Sequence, residues 1–233
     1  MSSVLIYHPL GLGDHIACSA IVREYSKKHS RVGLFCSPQN EPSVAFLYRD
    51  LPNVYIHLLR SHKEIKWLRI RNFFNRGKGH WDRIQHIGSF DPESGVKYER
   101  QFYQSAGIAL DKMWDSFYVA RDSAQEQALA QKLAPAGSYI FIHEDARFPL
   151  DTLKINSSLP AVRPDLALTR NIFDYCLLLQ NAAEIHVMDS SFMFLVDCLA
   201  YTNPTQKLFV HRYARENLAW NLPILKKDWQ IIL

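Results

Sequence analysis

Short apolar runs alternate with longer amphipathic stretches along most of the chain. Residues 4–7 form an unbroken apolar run closed by Pro9, Gly11 and Gly13. Such a run, bounded by turn residues, predicts a buried parallel strand followed by a tight loop. From Asp14 to about Lys28 the period changes. Ile16, Ala20, Ile21 and Val22 supply an apolar face and Arg23, Glu24, Lys27 and Lys28 a polar one, which predicts a helix. Further strands are expected at 32–36, 54–59 and 81–88, with a short helix over 43–48. A helix over 98–108 should end at Gly107, and another over 123–133 has Asp122 or Ser123 as its N-cap.

Pro135, Ala136 and Gly137 interrupt the pattern. A second series then begins, with strands at 139–142, 184–188 and 208–211 and a last apolar run at 229–233. Residues 171–182 are apolar on nearly every side and predict a buried helix; Asp189 or Ser190 caps another that runs to about Tyr201. Strands alternating with helices at this spacing define parallel α/β architecture. The expected fold is two Rossmann-like parallel-sheet halves, residues 1–134 and 135–233, facing a cleft. Ligands in such sheets sit beyond the carboxyl ends of the strands.

Composition adds boundaries to this picture. The chain has 233 residues, 48% of them hydrophobic, which is enough for two small domains with their own cores. A net charge of +4 suits a phosphate-bearing ligand but falls short of a nucleic-acid-binding face. The stretch 63–76, with Lys63, Lys66, Trp67, Arg69, Arg71, Phe73 and Phe74, is basic and aromatic. Its aromatics are read as packing residues, and its charges as facing an anionic acceptor or a membrane surface. Cys18, Cys36, Cys176 and Cys198 form no C-x-x-C pair and no zinc spacing. They read as buried reduced thiols, and with no secretion-type N-terminus the expected location is cytoplasmic. No apolar stretch reaches the length of a membrane span.

Three polar turns at predicted strand ends hold the candidate chemistry. Gly11-Leu12-Gly13-Asp14-His15 is a strand, glycine-containing turn and helix start. It lacks the G-x-G-x-x-G spacing of dinucleotide sites and the Gly-Lys-Ser/Thr of a P-loop. Asp14 there serves either as a helix cap or as a proton acceptor from a sugar hydroxyl; His15 is a second polar group or a structural one. Asp189-Ser190-Ser191 is a second turn, where amides and hydroxyls at a helix start could hold a diphosphate or simply cap the helix. The third turn is His143-Glu144-Asp145-Ala146-Arg147, after which Arg147 and Lys154 are cations suited to phosphate oxygens. Arg212, at the end of the 208–211 strand, is a further phosphate candidate. Glu144, Asp145 and Asp189 could suit magnesium, but no Asp-x-Asp occurs in the chain. The expectation is no metal and no cofactor.

The segment from His8 to Tyr25 resembles the start of GT-B glycosyltransferases of the heptosyltransferase-like group, and the Asp189 and His143 turns are similar in type and context to the donor-binding turns of that fold. The resemblance, to a minimal version of the fold, implies a metal-independent, inverting glycosyltransferase of hexosyl or deoxyhexosyl type. Asp14 would be its general base, with His15 beside it. Gly13, His143, Arg147, Lys154, Asp189, Ser190, Ser191 and Arg212 would hold a nucleotide-sugar donor. The third turn departs from the usual His-x-Arg, which favours Arg147 over His143 for the pyrophosphate. The acceptor would be a glycan or lipid-linked sugar, with no nucleic acid involved. The alternatives are a non-catalytic nucleotide-sugar-binding module, an epimerase or a phosphate-ester hydrolase.

Overall fold

The structure of the protein, a computed structural model, describes residues 2–8, 11–60, 64–66, 70, 72, 80–87, 95–145, 149–151, 154–215 and 223–233, the side chains of 214 and 215 apart. Arg147 and most of the 63–76 stretch therefore lie outside the described residues. The chain divides into two compact units, Met1–Ala120 and Arg121–Leu233.

The first unit is built on four parallel strands, β1 (Ser3–Tyr7), β2 (Arg31–Cys36), β3 (Val54–Leu58) and β4 (Arg83–His86), in the order β3-β2-β1-β4. Strand alternation sends Leu5 and Phe35 to one face, where they pack with Leu59, Ile65 and Trp81. Val4, Ile6, Val32 and Leu34 point to the opposite face and are fully buried. Among its helices are α1 (Leu12–Ala17), α2 (Ser19–Lys28), α3 (Glu41–Leu47), α4 (Tyr98–Ala106) and α5 (Lys112–Asp115). The helix expected from Asp14 begins two residues earlier and bends at Cys18, whose ψ relaxes to 1°. Hydrogen bonds from Cys18 N to Asp14 O (2.8 Å) and from Val22 N to Cys18 O (3.2 Å) carry the ladder through the bend. Helix α4 ends at Gly107, which adopts φ 67°, a left-handed conformation that side chains disfavour. Arg23 ties α2 to its surroundings, donating to Asp50 at 2.7 and 3.0 Å and to the carbonyls of Leu47 and Tyr118.

The second unit has five parallel strands, β5 (Ile140–His143), β6 (Ala161–Val162), β7 (Glu184–Val187), β8 (Lys207–His211) and β9 (Trp229–Ile232), ordered β6-β5-β7-β8-β9. Helices α6 (Ser123–Leu133), α7 (Cys176–Asn181) and α8 (Ser191–Cys198) belong to it. Helix α6 packs on α7 and on the 3-10 turn that precedes it. Arg121 fastens its start, pairing with the buried Glu126 (Nε to Oε1, 2.7 Å) and with Gln180 (2.9 Å). Asp122 caps α6 by accepting from Gln125 N at 3.0 Å.

The buried helix predicted over 171–182 forms as a 3-10 turn, Ile172–Tyr175, followed by α7. Asp174 accepts from Thr169 Oγ1 (2.6 Å) and Asn171 Nδ2 (2.7 Å), which holds the tighter first turn. Helix α8 ends at Cys198 rather than near Tyr201, because the backbone at Leu199 turns extended (ψ 127°). Asp197 in α8 accepts from the amides of Lys226 and Lys227 and from the Trp229 indole at 2.9–3.0 Å. That carboxylate fixes the approach to β9. All four cysteines are free and buried, as their apolar surroundings in the sequence suggested.

One face of the second sheet is helix-covered: Phe141 packs against Tyr175 and Phe192 of that layer. The opposite face carries Ile140 and Ile142. It is covered by Leu150, with Ile155 and Leu159 packed alongside. Residues from between β5 and β6 thus cover this face of the sheet.

Candidate functional site

In each sheet the strand order reverses once, between β1 and β4 in the first unit and between β5 and β7 in the second. Connections leave these strands toward opposite faces, which opens a crevice at their carboxyl ends. The three polar turns singled out in the sequence follow β1, β5 and β7.

At the β5/β7 boundary the structure brings His143 and Ser190 together. His143 closes β5 and Ser190 precedes α8, and His143 Nδ1 lies 3.0 Å from Ser190 Oγ. The Ser190 hydroxyl makes no capping bond to α8, so the hydroxyl orients the imidazole instead. Burial, opposed by Asp145 and Glu144, lowers the His143 pKa to about 4, so the ring is neutral. Its ring packs on Phe192, with centroids 4.4 Å apart. Ser191 is the first residue of α8 and is half-buried. Just before the helix, the buried Asp189 forms an ion pair with Arg212, which follows β8. The guanidinium is thereby held at the strand ends.

The other second-unit residues take different places. Glu144 organises its own loop: one carboxylate oxygen accepts from Leu150 N (2.9 Å), the other from Arg163 Nε (3.1 Å). Asp145 is half-buried at the same strand end. Lys154 lies further along the edge, near β8 and β9. Its ammonium donates to the carbonyl of Leu233 at 2.8 Å and sits 4.2 Å from the Tyr213 ring centroid. Among the described residues no three His, Cys, Asp or Glu side chains gather as metal ligands.

In the first unit, Asp14 occupies the third position of α1 and Gly11 the N-cap, three residues before the cap expected from sequence. Asp14 Oδ2 accepts from Gly11 N at 3.2 Å. A Cβ on Gly11 would fall 2.6 Å from that oxygen, so a glycine is what lets the carboxylate fold back over the turn. Gly13 is the second helical residue and is half-buried. His15 turns inward and is fully buried, its ring 4.4 Å from that of His8. Burial, reinforced by His8, pushes its pKa well down. Neither ring nitrogen of His15 has a hydrogen-bond partner. His15 is thus a core residue beneath the turn, and the half-buried Asp14 is the group at its rim. At the carboxyl ends of β1 and β4, Tyr7 stacks on His86 with centroids 4.9 Å apart.

Two features were not singled out from sequence. Arg163, which pairs with Glu144, follows the two-residue strand β6, too short to leave a periodic signal. His186 and His211 hydrogen-bond inside the second sheet, Nδ1 to Nε2 at 3.0 Å. Their parity within two adjacent strands was the available sign.

No protein-family model matches the chain, and no curated protein matches it. Solved structures do. A glycosyl transferase family 9 protein from Veillonella parvula aligns over 90% of this chain and 81% of its own, with a TM-score of 0.57 and 10% identity. ADP-heptose lipopolysaccharide heptosyltransferase II of E. coli aligns over 100% of this chain and 90% of its own, at a TM-score of 0.55 and 11% identity. TibC of enterotoxigenic E. coli, an iron-containing dodecameric glycosyltransferase, aligns over 89% of this chain and 62% of its own, at 0.50 and 11%. At these identities the shared property is the architecture. The chain has the GT-B-like α/β fold of these glycosyltransferases, built from two parallel-sheet units of four and five strands. Among the described residues no helix is long and apolar enough to cross a membrane.

Proposed function

We propose that the protein is a glycosyltransferase that moves a sugar from a nucleotide-sugar to a hydroxyl of a glycan or lipid-linked acceptor. The observation that carries the reading is the junction at the β5/β7 boundary. There a neutral imidazole, a serine hydroxyl, the start of α8 and a carboxylate-held arginine converge beside a strand-order reversal. Free amides and a guanidinium suit a diphosphate, whose charge grows as it leaves. The shared fold with glycosyltransferases supports the same reading.

In this reading the second unit, from about residue 121, grips the donor and the first supplies the base. Asp14 accepts the proton of the acceptor hydroxyl while that oxygen forms a bond to the anomeric carbon. The bond from that carbon to the diphosphate oxygen breaks, and the nucleoside diphosphate leaves with the electron pair. A single displacement of this kind inverts the anomeric centre. The lack of Asp-x-Asp in the sequence favours a metal-independent reaction, with Arg212, the α8 amides and Arg147 neutralising the leaving group. A transferred hexose or deoxyhexose and a cytoplasmic site of action belong to the same reading.

One observation favours a second reading, a module that holds a nucleotide-sugar without turning it over. Arg212 and Lys154 are both engaged within the protein. A thermal-shift panel of UDP-, GDP-, ADP-, CMP- and dTDP-sugars tests binding, since a ligand of the folded state raises the melting temperature. Stabilisation by one of them, followed by release of its nucleotide in the presence of an acceptor, is the expected result. No shift with any of them at millimolar concentration overturns both readings.

A further inference from the structure

A chain of four side chains crosses the face of the second sheet that carries Ile140 and Ile142. Glu184, His186 and His211 share that face through the β7/β8 register. His186 Nε2 lies 3.3 Å from Glu184 Oε2, His186 Nδ1 lies 3.0 Å from His211 Nε2, and His211 Nδ1 lies 3.1 Å from Tyr213 Oη. Both imidazoles are buried, and Phe209 stacks on His186 at 4.5 Å. Burial lowers the pKa of both; the neighbouring His186 and Lys154 lower that of His211 further, while Glu184 opposes the shift at His186.

The chemistry of the two ends fixes where every proton sits. The Glu184 carboxylate only accepts, so His186 must carry its proton on Nε2 and leave Nδ1 bare. His211 then donates from Nε2 and presents a bare Nδ1, and the Tyr213 hydroxyl must donate to it. Tyr213 Oη keeps its lone pairs for one further partner, the amide of Asp151, which donates at 2.8 Å. Asp151 belongs to the segment that covers this face, and Lys154 sits over the Tyr213 ring. Tyr213 is also the immediate neighbour of Arg212, held by Asp189.

We infer that Tyr213 is a positioning residue of the donor side, its hydroxyl locked through His211 and His186 to Glu184 so that it pins the segment after β5 at Asp151. The inference rests on the glycosyltransferase reading for its consequence, but not for its geometry. A buried wire of this kind favours one orientation of the hydroxyl, and so one placement of the amide that bonds to it. It couples two strand ends, the β5 segment and the turn after β8, that the sheet joins only through β7.

The experiment uses the full chain and has two arms. In the first, side-chain ¹⁵N spectra at neutral pH read the tautomers. Both His186 and His211 are expected as neutral rings protonated on Nε2; a protonated Nδ1 on either overturns the wire. In Tyr213→Phe, which keeps the ring under Lys154, amide exchange at Asp151 is expected to speed by about tenfold, and unchanged exchange overturns the pinning. In the second arm, ADP, GDP and UDP are titrated against both proteins, and the matching nucleotide-sugar is assayed. Tyr213→Phe should weaken nucleotide binding and raise the donor KM by about tenfold with kcat changed less than about threefold. Equal binding by the two proteins overturns the donor-side role. If the wild type binds none of the three and is stabilised by no sugar of the five-member nucleotide-sugar panel, the glycosyltransferase reading fails with that role, while the first arm still decides the wire.

Discussion

His143 and Ser190 meet across the boundary between β5 and β7, ring nitrogen to hydroxyl at 3.0 Å, with the imidazole held neutral by burial. The folded pKa of about 4 lies below the ordinary value of 6.5. The unfolded chain therefore takes up the proton first, and stability present above pH 6.5 is lost as pH falls from 6.5 toward 4. His211, lowered to about 4 chiefly by burial, acts in the same direction. For His143 alone the loss is of the order of 3 kcal/mol across that window. Urea unfolding followed at pH 7, 6 and 5 should show a falling midpoint, and His143→Gln should flatten the slope. A midpoint that holds steady from pH 7 to 5 contradicts a buried neutral ring.

Asp14→Asn keeps an oxygen able to accept from Gly11 N, so the turn should survive. Its melting temperature is expected within a few degrees of wild type, with donor affinity retained. Turnover should fall by about 10²–10⁴-fold, the range associated with a lost general base. Full turnover in this variant would leave Asp14 a helix-start residue and nothing more.

Gly11→Ala tests the same turn from the other side. The added Cβ would lie 2.6 Å from Asp14 Oδ2, so the carboxylate must swing away. The expected outcome is a loss of turnover larger than the loss of stability, read from kcat and thermal melts on the same preparation. Wild-type turnover would show that the folded-back carboxylate is not the reacting conformation.

Asp189→Ala removes the carboxylate paired with the Arg212 guanidinium, of which only 16% of the side chain is exposed. Breaking a buried pair from one side costs about 3–5 kcal/mol. Replacing both partners with apolar residues should recover part of that stability without restoring nucleotide binding. Chemical denaturation of the single and double variants checks the first part; calorimetric titration with nucleoside diphosphates checks the second.

Much of this architecture is legible in the chain because burial writes a pattern. Short apolar runs gave β1, β2, β5 and β8 within a residue or two, the mixed run 184–188 gave β7, and Asp122 with Gly107 marked true helix ends. Strand β6 escaped because two residues show no period, and the bend at Cys18 because no glycine or proline marks it. Strand-end position placed Asp14 after β1, His143 at the end of β5, Asp189 and Ser190 after β7 and Arg212 after β8. It could not tell which way a side chain turns. Asp14 and His15 are adjacent, yet one sits at the rim and the other in the core, because successive helical residues point about 100° apart. Nor could it see that Glu144 is engaged by Arg163, a contact that depends on which strand lies beside β5.

Asp197 is a polar residue in an otherwise apolar helix, and its role emerged only from the fold. Its carboxylate holds two amides and an indole. Asp197→Ala removes the acceptor shared by the buried Trp229 indole and two part-buried amides and should cost about 2–4 kcal/mol, with loosened packing of Trp229. Denaturation with tryptophan fluorescence as the probe reads this directly. A variant as stable as wild type would mean that water replaces the carboxylate.

The burial of the cysteines has a practical consequence. Cys18 and Cys36 lie in the first unit, Cys176 and Cys198 in the second, all free and all shielded. A thiol-reactive dye should stay idle on the native protein and label each pair only when its own half opens. Mass spectrometry of the labelled peptides over time then reports two independent opening rates from one unmodified sample.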